Sequence, residues 1–115
     1  MELFKHSLFI NLKHRTDRLE HVTNEFNKMG INAERIEGIQ PKSGAVGCTM
    51  SHIKCLELAK SRNYEQVFIC EDDITFTSPE KFKEQIIKFD ENKDINWDVL
   101  VVSGNVAPPS QKLYE

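Results

Sequence analysis

A chain of 115 residues has room for one domain with a single core, and 39% hydrophobic with 29% charged residues is the composition of a soluble globular protein. A net charge of -3 and a pI near 5.8 argue against nucleic acid as a partner, because phosphate backbones call for a basic face. No run reaches the length of a transmembrane segment, and Met1 to His6 lack the basic-then-apolar layout of a signal peptide. Cys48, Cys55 and Cys70 form no Cys-x-x-Cys pair, so they suggest neither a disulfide framework nor a zinc knuckle. They read as small buried hydrophobes in a reducing, cytoplasmic setting.

In chain order, Ser7-Leu8-Phe9-Ile10-Asn11-Leu12 is apolar enough for a first strand. Asp17 with Glu20 three residues on reads as a capping box, and Leu19, Val22, Phe26 and Met29 then line one helical face. Gly30 is placed to end that helix, and Ile31 to Ile36 to form a short second strand. The stretch Gly38 to Gly47, with three glycines and a proline, reads as a loop of the kind that often carries function. A helix over Cys48 to Arg62 follows, with Cys48, His52, Cys55 and Ala59 on one face flanked by Leu56 and Leu58. Val67-Phe68-Ile69-Cys70 is a continuous apolar run, read as a strand buried on both faces of a parallel sheet. Ser78-Pro79 starts another helix, with Phe82, Ile86 and Phe89 on one face, and Asp98 to Ser103 reads as a last buried strand. The β-α-β-α-β-α-β alternation points to α/β architecture: a Rossmann-like parallel sheet flanked by helices.

The chemistry concentrates where the Val67 run ends, in Glu71-Asp72-Asp73. Ligands of open α/β sheets bind outside the carboxyl ends of the strands, and three clustered acids repel one another unless something cationic lies between them. A hard divalent ion, Mn2+ or Mg2+, is the simplest such partner, since it takes oxygen ligands and shares them with substrate phosphates. The plain alternative is a strand that ends in a solvated acidic turn. Neither a P-loop nor a dinucleotide fingerprint is present. In their place Lys13, Arg15 and Arg18 cluster near a helix start, where free amides and the helix dipole favour an anion, although such residues are often merely solvated.

Three motifs taken together resemble glycosyltransferase family 25, which includes bacterial lipooligosaccharide galactosyltransferases and the collagen hydroxylysine galactosyltransferases. They are Ile10-Asn11-Leu12 with Arg15 and Arg18, then Gly44-Ala45-Val46-Gly47-Cys48 with Ser51-His52, then Glu71-Asp72-Asp73-Ile74. The resemblance implies the nucleotide-binding half of a GT-A fold, a UDP-sugar donor, and transfer of galactose or glucose to a hydroxyl of a glycan or of hydroxylysine. It also implies that Glu71 and Asp73 act as the metal-binding outer pair of an Asp-x-Asp-like motif. Asn11, Arg15, Arg18, Gly47 and Asp72 are implied as nucleotide-sugar contacts. His52 is the candidate base, although its apolar helix face favours a packed, hydrogen-bonded histidine. The family's domain is markedly longer than this chain, so a single truncated domain over 1–115 is expected, lacking much of the acceptor site.

Two other readings stay open. A receiver-like phosphate-accepting domain also carries paired acids at a strand end, but it needs acids at other strand ends, where this chain has Asn11-Leu12-Lys13 and Ser103-Gly104. A non-catalytic remnant that binds a nucleotide sugar without transferring it fits the chain's length.

Overall fold

The computed structural model describes residues 2–40, 44–92, 94 and 96–102. After a 3-10 turn at Glu2–Phe4, the elements in order are β1 (Ser7–Asn11), α1 (Thr16–Met29), β2 (Ala33–Glu37), α2 (Gly44–Ser61), β3 (Phe68–Glu71) and α3 (Pro79–Glu91). The three strands form one parallel sheet in the order β2-β1-β3. All five residues of β1 are buried, as its central position requires. Ile10 pairs across to Ile36 on one side and Glu71 on the other, while Asn11 pairs with Glu37, so one edge of the sheet gathers Asn11, Glu37 and Glu71.

The pleat divides the core in two. Phe9 and Cys70 face a cluster with Val22, Phe26 and Met29 of α1 and Ile86 of α3, while Leu8, Ile10 and Ile36 face Cys55 of α2. Helices therefore cover both faces, as the apolar runs of a parallel sheet demand. The edge strand is less enclosed than expected: Phe68 and Ile69 are only half-buried.

Gly30 ends α1 in the left-handed conformation, at φ 68°. Its N–H bonds to the Asn27 carbonyl at 3.2 Å and that of Ile31 to the Phe26 carbonyl at 3.0 Å, which satisfies two end carbonyls. The capping box does not form. Thr16 opens α1 behind Arg15 with no side-chain cap, and the Asp17 carboxylate takes a two-point hydrogen bond from the Arg15 guanidinium at 3.0 and 2.9 Å.

Two further expectations change. The glycine-rich stretch is a loop only in part, because α2 begins at Gly44 and Gly47 lies in its first turn; Pro41, Lys42 and Ser43 fall outside the described residues. Residues 98–102 form no strand, with Val99 79% and Val101 60% exposed, while Leu100 packs on the core; Ser103 is not described. Apolar content there reports a tendency to be covered, but a strand also needs a ladder partner.

Candidate functional site

Asn11 is the junction of the site. It is 1% exposed, and its amide is used at both ends. The Nδ2 group donates to Asp72 Oδ2 at 2.8 Å and to the Arg15 carbonyl at 3.1 Å, while Oδ1 accepts from Arg35 Nε at 3.0 Å. Its carbonyl receives Arg35 Nη2 at 3.2 Å and the Gly38 N–H at 3.0 Å. One side chain thus ties the ends of β1, β2 and β3 together. Gly38 must lie close for this, since a Cβ there would stand 3.0 Å from Leu12 Cδ2 and 3.2 Å from Ile10 Cγ2. The structure gives Asn11 a bracing place inside the protein, with its amide occupied by protein groups.

The acidic cluster splits in two. Extended backbone stops at Glu71 and the chain turns, yet Asp72 alone goes inward. It is 6% exposed and also faces Arg18 Nη1 at 3.4 Å. Glu71 and Asp73 are exposed and line one cavity of about 770 Å3, which runs along the free side of β3 to α3 and includes His52, Ser78 and Lys81. Behind them burial, and then the charges of Asp73, Glu71 and Asp72, push the Cys70 thiol up to about 12, so it stays neutral.

The start of α2 supplies the third side. Ser51 Oγ donates to the Gly47 carbonyl at 2.7 Å and accepts the Ile39 N–H at 2.8 Å, which fastens the helix to the chain leaving β2. Along the expected apolar face, Cys55 and Ala59 are buried, His52 is half-buried and Cys48 is exposed, so the face rises out of the core toward the site. Leu56, expected to flank it, is 55% exposed. Cys48 Sγ lies 3.3 Å from Glu71 Oε1, and burial together with that carboxylate raises its pKa.

Three residues of this architecture had no motif to announce them. Arg35 reads from sequence as one more charge on a short strand. His21 Nε2 lies 2.8 Å from the Ile74 carbonyl, and Glu25 Oε1 accepts the Phe76 N–H at 2.7 Å, so two polar positions of α1 clasp the segment after the acids. The Phe76 amide and then Lys28 hold the Glu25 carboxyl below the ordinary glutamate range. Their spacing of four residues, on a face next to the apolar one, was the available signal. Arg15 is committed to Asp17, whereas Arg18 keeps 42% of its side chain exposed beside Asp72.

Among the described residues no helix is long and apolar enough to cross a membrane. A Haemophilus influenzae protein named "Putative glycosyltransferase" is 29% identical over 92 residues, covering 61% of this chain and 33% of that protein. The chain thus spans about a third of the length of the curated relative it matches. Residues 43–111 match the family described as "Glycosyltransferase family 25 (LPS biosynthesis protein)", a span that includes Gly47, His52 and the Glu71–Asp73 cluster and begins beyond Asn11 and Arg18. With more than half its length so matched, the chain belongs to glycosyltransferase family 25.

Proposed function

We propose that this chain is the donor-binding part of a metal-assisted hexosyltransferase, which takes galactose or glucose from a UDP-sugar and passes it to a hydroxyl. The family's description with lipopolysaccharide biosynthesis favours a glycan over hydroxylysine as the acceptor. The observation that carries the reading is the division of the acids: Glu71 and Asp73 both line the cavity, while Asp72 is turned inward to Asn11.

Two exposed carboxylates are hard oxygen donors, which fits Mn2+ or Mg2+ shared with a diphosphate. Such an ion, held by Glu71 and Asp73, would supply charge neutralisation that makes the nucleoside diphosphate a better leaving group. Arg18 and Lys81, with the amides of the first turn of α2 around Gly47, provide further positive character for phosphate. Arg15 acts by fixing the turn before α1 through Asp17. Asp72, Asn11 and Arg35 hold the turn that aims Glu71 and Asp73.

In transfer, the acceptor oxygen bonds to the anomeric carbon as the bond from that carbon to the diphosphate oxygen breaks. The hydroxyl proton must pass to a base, and His52, whose imidazole lines the same cavity, is the candidate. The chain spans about a third of the length of its curated relative, and in-line placement of the acceptor is a demand beyond donor binding, so the chain alone is expected to bind donor better than it transfers it. A thermal-shift series of UDP-galactose, UDP-glucose and UDP-N-acetylglucosamine, each with and without Mn2+, tests the reading. A rise in melting temperature for at least one sugar, dependent on Mn2+, is the expected outcome, and no rise with any of them contradicts it.

A further inference from the structure

A second donor set with different chemistry shares two of the cavity's lining residues, His52 and Glu71. Cys48 and His52 stand four residues apart on α2, the spacing that puts two side chains on one helical face, and Glu71 comes to them from the end of β3. One ligand atom from each, the Cys48 sulfur, a His52 ring nitrogen and a Glu71 carboxylate oxygen, all lie within 4.8 Å of one another. The sulfur and Glu71 Oε1 are already 3.3 Å apart. A tetrahedral zinc with ordinary bond lengths separates a sulfur and an oxygen ligand by about 3.5 Å. The remaining pairs need close by no more than about 1.5 Å, within reach of χ rotations at a half-buried histidine and an exposed glutamate.

We infer that Cys48, His52 and Glu71 form a binding site for a borderline divalent cation of the Zn2+ class, with its fourth position open to the cavity. A thiolate and an imidazole select such an ion over Mn2+ or Mg2+, which prefer oxygen alone. Three protein ligands and one free position is an open site rather than a closed structural one. Asp73, close enough to act on the Cys48 thiol through its charge, adds attraction for a cation without being needed as a ligand. Cys55, one helical turn further on, is buried in the core and takes no part. This site does not depend on the sugar-transfer reading, although it draws on two of the same residues, His52 and Glu71: a zinc-bound imidazole could not serve as the base, and Glu71 could serve only one ion at a time. Where both ions are present, Zn2+ and Mn2+ compete for it.

Titration of the metal-free chain with Co2+, in the absence of any nucleotide, reads the site directly through the thiolate-to-cobalt charge-transfer band. The parent should show the band and saturate at one equivalent. Cys48→Ser should abolish it, His52→Ala should weaken Co2+ binding by at least about tenfold, and Cys55→Ala should leave it intact. Absence of the band in the parent overturns the inference. So does a band that survives Cys48→Ser, and one that then disappears with Cys70→Ala would move the thiolate to the other side of the sheet end. Because no donor is present, the failure of this test leaves the nucleotide-sugar proposal standing, and its success does not support that proposal.

Discussion

Asn11 brings three strand ends to one point with a single neutral amide, and the energetic consequence is concentrated there. Asp72 is buried, and its nearest cation, Arg18, lies at 3.4 Å, so the 2.8 Å bond from Asn11 is its closest satisfaction. Asn11→Ala removes that donor together with the acceptor for Arg35. Leaving the buried Asp72 carboxylate with only the longer contact to Arg18 should cost about 1–3 kcal/mol, read as a lower urea midpoint with little change in slope. Asp72→Asn keeps the shape and can still hydrogen-bond, so it should cost less than Asn11→Ala. A larger loss for Asp72→Asn would mean that Asp72, and not Asn11, holds the junction.

At the scale of elements, α1 is fixed at its end and along one side. Gly30 has open space where a Cβ would go, so the cost of Gly30→Ala comes from its φ alone, about 1–2 kcal/mol on the same urea measurement. The clasp of Glu25 on the Phe76 amide gives a pH dependence. Its carboxyl is held below the ordinary value of 4.5, so the folded state binds the proton less well than the unfolded chain. The stability it lends is complete above pH 4.5 and is lost as the pH falls through the depressed value. Thermal melts of the parent and of Glu25→Gln should therefore differ most near neutrality and converge in acid. A gap that stays constant across that range would remove Glu25 from the linkage.

The apolar faces of α1 and α3 were legible because spacings of three and four survive any detail of the ends. The ends themselves were not. Asp17 looked like a cap but had a stronger local partner in Arg15, and glycines at 44 and 47 looked irregular although a helix tolerates them in its first turn, where backbone N–H groups have no partner to lose.

For the whole molecule, the parallel sheet with helices on both faces followed from Ser7–Asn11 and Phe68–Glu71, whose apolar runs have no other economical home. The convergence of Asn11 with Asp72 was also foreseeable, because right-handed crossovers point the carboxyl ends of parallel strands the same way. What could not be read is long-range pairing of polar groups. Nothing local in Arg35 announces its partner, and the four-residue spacing of His21 and Glu25 marks a shared face of α1 without saying what it meets. Residues 98–102 failed for the opposite reason, since their apolar run is genuine but pairs with no strand among the described residues.

In the proposed function, Glu71 and Asp73 join a divalent ion to a nucleotide sugar at this sheet edge. Asp73 is exposed and holds no part of the core, so Asp73→Asn should leave the fold intact. Isothermal titration of the nucleotide sugar selected by thermal shift, into parent and Asp73→Asn, with Mn2+ and with chelator, measures that coupling. The coupling predicts at least about a tenfold loss of affinity in the variant when Mn2+ is present and no difference in chelator. Equal affinities of parent and Asp73→Asn in Mn2+ would contradict it.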